Sequence, residues 1–188
     1  MSAYLLFAEV LDYPGPELSR RVSELACELA IELPQAEGLI KTFQGSHESM
    51  GTAKLQEIYT RTFDMQPDCT PNLGYHLFGE DQRRGVFLAK LNELYQQAKV
   101  DTGNELPDHV CFLLRYLATG LGTEETTDII TDCLLPAVSK IAHRVDAPSN
   151  PYRGVLDALL LWLEKESGGL SMSGEMNINK TEAIAGRG

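Results

Sequence analysis

The chain has 188 residues, 43% of them hydrophobic and 23% charged, which is the composition of a folded domain and excludes an intrinsically disordered chain. Its 27 acidic residues outnumber its 16 lysines and arginines, and the net charge of −11 argues against nucleic acid or an anionic membrane as a partner. The same acidity is compatible with a cationic partner, although the need for solubility also explains it.

The N-terminal residues 1–14, MSAYLLFAEVLDYP, lack the basic region and the long apolar core of a signal peptide. No stretch of the sequence approaches the roughly 18 uninterrupted apolar residues that indicate a membrane span. We therefore expect a cytoplasmic protein without direct membrane insertion.

The four cysteines are widely separated and form no CxxC pair, so the sequence predicts neither a disulfide framework nor a zinc ribbon. They are Cys27, Cys69, Cys111 and Cys133. All but Cys69 lie among apolar residues, and we interpret those three as small members of the hydrophobic core.

Apolar residues recur at helical spacing through the first third of the chain. A short apolar helix is predicted over residues 4–11, and Pro14 ends it. The next helix ends at Pro34 and has one continuous apolar face. That face consists of Leu18, Val22, Leu25 and Leu29. A weaker pattern follows, and then a clean one whose apolar face ends at Phe63.

Helical patterns resume after an irregular segment. One amphipathic helix covers residues 88–98, and the next begins at Pro107–Asp108, where both residues favour a helix start. A third begins at Thr123 and has a break or kink at Pro136, and residues 154–166 form an apolar, buried central helix. The sequence predicts an all-α, single-domain bundle of about seven to nine helices.

The predicted helical domain covers residues 1–167. Residues 168–188 contain few large apolar side chains and show no periodicity, so we predict a flexible C-terminal tail. Because the tail offers little apolar surface to bury, we expect the fold not to depend on it.

Signatures of catalysis are absent from the sequence. It contains no glycine-rich phosphate loop, no GxSxG elbow, no HExxH pair and no EF-hand loop. We therefore predict a binding protein with no catalytic residue, no cofactor and no metal site. One alternative is a metal- or haem-binding helical protein, since Cys69, His76 and His109 could converge in space. A generic acidic helical adaptor without a peptide groove is a second alternative.

The segment 64–81 contains two prolines and two glycines and matches neither a regular helix nor a strand. Large apolar residues in and just before it are Phe63, Leu73, Tyr75, Leu77 and Phe78. Its acidic residues are Asp64, Asp68, Glu80 and Asp81. Long segments of this kind are usually functional or disordered, and the apolar content argues against disorder. Residues 59–81 are therefore predicted to form part of one wall of a groove for a basic, partly apolar peptide. The alternative is a loop that packs its aromatic rings onto its own core.

Three short motifs lie in order along this part of the chain: YTRTFD at 59–64, GYHLFGEDQRRG at 74–85 and ELPDHV at 105–110. Together they resemble the NarJ-type assembly chaperones of respiratory nitrate reductase, within the broader TorD-like family of molybdoenzyme chaperones. The resemblance implies an all-α, cytoplasmic and non-enzymatic protein. It also implies a partner, the apo catalytic subunit of a molybdoenzyme, which is held by its basic N-terminal leader peptide until the molybdenum cofactor is inserted.

The resemblance assigns peptide binding to residues of the three motifs. These residues are Tyr59, Phe63, Asp64, Tyr75, His76, Leu77, Phe78, Gly79, Pro107, Asp108 and His109. For Asp108 we also expect a structural role, the capping of the helix that begins beside it, because aspartate is a favoured N-cap residue. The loop sequence TPNLGYHLFGED favours the nitrate reductase branch of the family as the source of the partner.

Overall fold

The computed structural model describes residues 2–121, 123–146 and 149–170. Within these ranges the chain forms nine helices and no named β-strand, which confirms the predicted all-α, single-domain bundle. The helices are α1 (Ala3–Val10), α2 (Leu18–Glu32), α3 (Pro34–Met50), α4 (Thr52–Tyr59), α5 (Leu73–Phe78), α6 (Gln82–Ala98), α7 (Val110–Ala118), α8 (Thr123–Asp128 and Leu135–Arg144) and α9 (Tyr152–Leu170).

Two of these helices contain a π-helical stretch, in which backbone hydrogen bonds join residues five positions apart. In α8 the stretch Ile129–Leu134 joins the two α-helical parts just before Pro136. The stretch Thr60–Asp64 extends α4, and there the Met65 N–H donates to the Thr60 carbonyl at 3.0 Å. Such stretches are frequent at functional sites, and the second one ends at Asp64, the first residue of the segment 64–81.

The apolar helix faces meet in one core that runs through the bundle. The central helix α9 contributes Tyr152, Val155, Leu159 and Leu163, each 0% exposed. α3 packs against both α2 and α9, and α1 packs against α2 and α7. Each fully buried Val or Leu contributes about 1.5–3 kcal/mol to folding, so these contacts fix the helices that carry the site.

The last helix extends beyond the predicted domain boundary at residue 167. α9 continues to Leu170, so residues 168–170 of the predicted tail are helical. Residues 171–188 lie outside the described residues. None of the helices in the described ranges is both long enough and apolar enough to cross a lipid bilayer.

The cysteines agree with the predicted core positions except at Cys27. Cys111 and Cys133 are buried, whereas Cys27 is exposed on α2. The reason is helix geometry: Cys27 lies two positions from both Leu25 and Leu29, which places it on the side of α2 opposite the apolar face. All four cysteines are free thiols.

Candidate functional site

The segment 64–81 contains more regular structure than its sequence predicts. Pro67–Cys69 forms one 3₁₀ turn, and α5 is a helix of six residues. The prediction that this segment contains no regular helix is therefore wrong. α5 finds no cap in its own flanking sequence, since the Asn72 side chain makes no capping hydrogen bond. A residue far along the chain provides the cap instead.

Asp108 is that residue. Its Oδ2 accepts the Gly74 N–H at 3.1 Å, which satisfies one of the free amides at the start of α5. The same oxygen accepts two bonds from Arg84 of α6, from Nε at 3.1 Å and from Nη2 at 3.0 Å. The Asp108 side chain is 0% exposed, so this charge-assisted contact lies beneath the surface. Asp108 therefore joins α5, α6 and the loop before α7, and it does not present its carboxylate to a partner.

The helix that follows Asp108 has a different cap, so the expected capping role of Asp108 is wrong. α7 begins at Val110, and its N-cap is His109, whose Nδ1 accepts the Cys111 N–H at 3.2 Å. A ring nitrogen that accepts a hydrogen bond belongs to the neutral imidazole. Burial lowers the pKa of His109 and favours that neutral form.

A short antiparallel bridge between Asn72 and His109 holds the start of α5 against the start of α7. Within it the Leu73 N–H donates to the Asp108 carbonyl at 2.8 Å. Gly74 lies directly against the capping carboxylate, and a Cβ at this position would lie 2.7 Å from Asp108 Oδ2. Only glycine allows this close approach.

Two clefts lie beside α5 and this bridge. The first, which we call the aromatic cleft, has a volume of about 490 Å³. Its lining residues are Asp12, Tyr13, Tyr59, Phe63, Asp64, Thr70, Pro71, Asn72, Glu105, His109, Cys111, Phe112 and Arg115. The first and third sequence motifs therefore meet at one cleft, together with the chain that follows α1.

Aromatic rings in mutual contact form the floor of the aromatic cleft. The Tyr59 ring meets Tyr13 edge-on with 5.5 Å between the ring centroids, and it meets Phe63 at 4.9 Å. Tyr59 and Phe63 are each 5% exposed, whereas Tyr13 is 52% exposed. Burial raises the pKa of Tyr59, so its hydroxyl stays protonated and donates to the Leu11 carbonyl at 3.3 Å. Tyr59 and Phe63 are thus a fixed floor, and Tyr13 is the ring that a ligand can reach.

Acidic side chains dominate the charge of the aromatic cleft. Asp12, Asp64 and Glu105 line it, and Arg115 is the one lysine or arginine among its lining residues. Arg115 Nη2 lies 2.5 Å from Asp12 Oδ2, so this cation is already paired. The lowered pKa of His109 keeps that ring uncharged at neutral pH. The aromatic cleft therefore has a net negative charge and favours a cationic ligand.

The second cleft, which we call the histidine cleft, has a volume of about 610 Å³ and lies between α5 and the C-terminal end of α8. Its lining residues are Asp68, Tyr75, His76, Gly79, Glu80, Ser139, Lys140, His143 and Arg144. The Lys140 ammonium donates to the His76 carbonyl at 2.7 Å, and Arg144 lies 3.9 Å from Asp68. Burial lowers the pKa of His76, which also favours an uncharged ring. The two acids of this cleft are therefore matched by two cations, Lys140 and Arg144.

The predicted peptide-binding residues divide between the two clefts. The aromatic cleft contains Tyr59, Phe63, Asp64 and His109. The histidine cleft contains Asp68, Tyr75, His76, Gly79 and Glu80. Neither cleft is lined by Leu77, Phe78, Asp81, Pro107 or Asp108. Residues 59–81 thus contribute to two clefts instead of one wall.

Two predicted residues outside the clefts have contacts within the fold. The Phe78 ring packs against Phe87 of α6, with 5.4 Å between the ring centroids. Asp81 caps α6, since its Oδ1 accepts the Arg83 N–H at 2.8 Å. Packing and capping explain these residues without a partner.

Sequence reasoning missed lining residues that lie outside the three motifs. Asp12 and Tyr13 had a local signal, an acid and an aromatic residue placed where α1 has ended. Phe112 and Arg115 are three positions apart on α7, and the guanidinium carbon lies 5.3 Å from the centroid of the Phe112 ring. Phe112 has no sequence signal among the other apolar residues of α7, whereas Arg115 is the one charged residue of that helix, a signal that the motif resemblance does not include.

The described residues contain no group of three or more His, Cys, Asp or Glu side chains arranged to hold a metal ion. The metal-binding alternative requires Cys69, His76 and His109 to converge. In the structure His76 and His109 line different clefts, and Cys69 is buried outside both linings.

Comparison with known proteins gives two findings. The family model named nitrate reductase delta subunit matches residues 26–150 of this chain. A probable nitrate reductase molybdenum cofactor assembly chaperone, NarJ, of Bacillus subtilis (strain 168) is 30% identical over 129 residues, which is 68% of each protein. The family match contains the whole lining of the histidine cleft and all of the aromatic cleft except Asp12 and Tyr13.

Proposed function

Because this chain belongs to the nitrate reductase delta subunit family, we propose that it is a chaperone for the assembly of nitrate reductase and for the insertion of its molybdenum cofactor. Such a protein is an assembly factor and not an enzyme. Its partner is the apo catalytic subunit, which it holds in the cytoplasm by the basic N-terminal leader peptide until the cofactor is in place.

The aromatic cleft is the proposed binding site for that leader peptide. The observation that carries this assignment is the placement of three acids, Asp12, Asp64 and Glu105, around a floor of aromatic rings. Aliphatic side chains of a partly apolar peptide gain most free energy in a dry, well-packed pocket, and its Lys and Arg side chains suit an acidic rim. The histidine cleft has no comparable excess of negative charge.

Two exposed apolar residues directly follow lining residues of the aromatic cleft in the sequence. Met65 directly follows the lining residue Asp64 and is 70% exposed, and Leu106 directly follows Glu105 and is 45% exposed. Tyr13 exposes about half of its side chain at the same cleft. Exposed apolar side chains therefore lie next in sequence to two of the three acids, and a partly apolar, basic peptide needs both kinds of contact.

The proposed peptide-binding residues differ in part from those that the sequence suggests. Of the predicted set, Tyr59, Phe63, Asp64 and His109 are retained. The proposal adds Asp12, Tyr13, Glu105 and Phe112, which line the same cleft. Asp68, Tyr75, His76 and Glu80 belong to the histidine cleft and are not part of the proposed leader site.

Calorimetric titration of the full chain tests the proposal. The probe is a synthetic peptide with the leader sequence of the nitrate reductase catalytic subunit from the same organism. Its control is the same peptide with every Lys and Arg replaced by Gln. We expect the leader to bind in a 1:1 complex. Salt should weaken this complex, because exposed charges are screened over about 10 Å at 0.1 M salt. The neutralised control should bind much more weakly, because it has no cations for the acidic rim. Absence of binding by the folded chain would contradict the proposal.

A further inference from the structure

Arg115 is a cation in the lining of a cleft that we propose to bind a cationic peptide. It is the one lysine or arginine among the residues that line the aromatic cleft. Its Nη2 donates to Asp12 Oδ2 at 2.5 Å, and the guanidinium carbon lies 5.3 Å from the centroid of the Phe112 ring. An arginine side chain of a bound peptide would bind the same two kinds of group, a carboxylate and an aromatic face.

The contact between Arg115 and Asp12 is open enough to be exchanged. The Arg115 side chain is 29% exposed and the Asp12 side chain is 47% exposed. Ion pairs at such positions contribute little net free energy, because water screens the charges and two flexible side chains must be ordered. The other carboxylate oxygen of Asp12 is held by the backbone, since Oδ1 accepts the Tyr13 N–H at 2.8 Å. Asp12 is therefore a fixed acceptor whose cation can be replaced.

We propose that Arg115 is an internal competitor for the cationic ligand of the aromatic cleft. In the empty protein it neutralises Asp12, and a basic side chain of the leader peptide displaces it when the peptide binds. This inference rests on the proposed function, since it requires a basic peptide in this cleft. The consequence is selectivity among ligands. A ligand with a cation at the right position can replace Arg115 at Asp12, whereas a ligand without one finds that acid already neutralised.

Removal of the Arg115 charge should therefore strengthen binding of a basic peptide. For Arg115→Gln we expect the leader peptide to bind about two- to fivefold more tightly at low ionic strength, the range that an exposed ion pair supports. Arg115→Met is the second charge-removing variant, since its unbranched chain keeps apolar contact with Phe112. The neutralised peptide should bind wild type and both variants equally, because it has no cation to compete for Asp12.

Arg153 offers a matched control. It is also 29% exposed, and it is paired with a carboxylate, Asp157, at 2.9 Å, but it lies on α9 outside the lining of both clefts. Arg153→Gln changes the net charge by the same amount as Arg115→Gln, so any effect of the overall charge appears in both variants. Melting curves of all variants check that the fold is intact.

Tighter binding of the leader peptide by Arg115→Gln or Arg115→Met than by Arg153→Gln supports the inference. Equal or weaker binding by both Arg115 variants overturns it, and so does an equal gain for the neutralised peptide, which would indicate a steric effect. These results are distinct from failure of the proposed function, which is the absence of leader binding by the wild-type chain.

Discussion

The two clefts share α5 and its bridge but differ in charge and in chemistry. The aromatic cleft places three acids against one arginine that is already paired, above a floor of buried rings. The histidine cleft places two acids against Lys140 and Arg144 from the end of α8. Nearness in sequence therefore does not decide function here: residues of one continuous segment face surfaces of different charge, and only one of them suits a basic peptide.

The largest effect is expected at Asp108, which supports the structure shared by both clefts. Asp108→Ala leaves Arg84 without its carboxylate and the Gly74 amide without its cap, and should lower the free energy of unfolding by about 3 kcal/mol. Asp108→Asn keeps an acceptor for the Gly74 amide, so its loss should be clearly smaller. Urea unfolding of both variants measures the difference. Equal losses would show that the contact with Gly74 is not important.

The next largest effect on stability is expected for Gly74→Ala, because Gly74 is closely packed. Gly74→Ala would place a Cβ 2.7 Å from Asp108 Oδ2 and 3.2 Å from Phe87 Cδ1, so the start of α5 must shift. We expect a loss of about 1–3 kcal/mol in the free energy of unfolding. Gly85→Ala is the control, since Gly85 is an exposed helical position where an added Cβ would meet no atom within 4 Å, and alanine there should be neutral or stabilising. Similar unfolding curves for the two variants would contradict the role of the close contact between Gly74 and Asp108.

Substitution of one tyrosine in each cleft tests which cleft binds the leader peptide. Tyr13→Ala removes the exposed ring of the aromatic cleft and should weaken leader binding by about 2 kcal/mol, as expected for an aromatic anchor. Tyr75→Ala removes the ring of the histidine cleft and should leave binding unchanged. Calorimetric titration gives the affinities, and melting curves check the fold. A larger loss for Tyr75→Ala would move the leader site to the histidine cleft.

Two histidines, one in each cleft, make the stability of the fold depend on pH in the same direction. Burial lowers the pKa of His109 and of His76 below the ordinary value of about 6.5. As the pH falls below that value, the unfolded chain binds more protons than the folded chain, so the free energy of unfolding decreases. His109→Asn retains a capping side chain for α7 and removes one titration, and should flatten this dependence between neutral pH and pH 5. An unchanged slope in urea unfolding across that range would contradict the neutral His109 cap.

Helix periodicity allows most of the fold to be predicted, because apolar spacing is a local property. The buried faces of α2 and α9 agree with the sequence pattern. α5 could not be predicted in the same way, since its cap, Asp108, lies 34 residues beyond Gly74. A sequence pattern contains no information about a partner that the fold brings from such a distance.

The candidate site shows the same limit. Motif resemblance identifies Tyr59, Phe63 and Asp64, which do line the aromatic cleft. It gives no indication of the contact between Arg115 and Asp12, whose residues are 103 positions apart. The apolar and acidic character of the segment 64–81 is visible in its composition, but the division of its residues between two clefts is visible only in the folded chain.

Reversal of rim charges tests most directly whether the leader peptide binds in the aromatic cleft. The double variant Asp64→Lys with Glu105→Lys changes that cleft, and Asp68→Lys with Glu80→Lys makes the same change of net charge in the histidine cleft. All four acids are exposed, so the fold should tolerate both variants. Calorimetric titration of the leader peptide at low and high ionic strength should show weaker binding for the first variant, mainly at low salt, and nearly wild-type binding for the second. Equal weakening by both variants, or weakening by the second alone, would contradict the assignment of the leader site to the aromatic cleft.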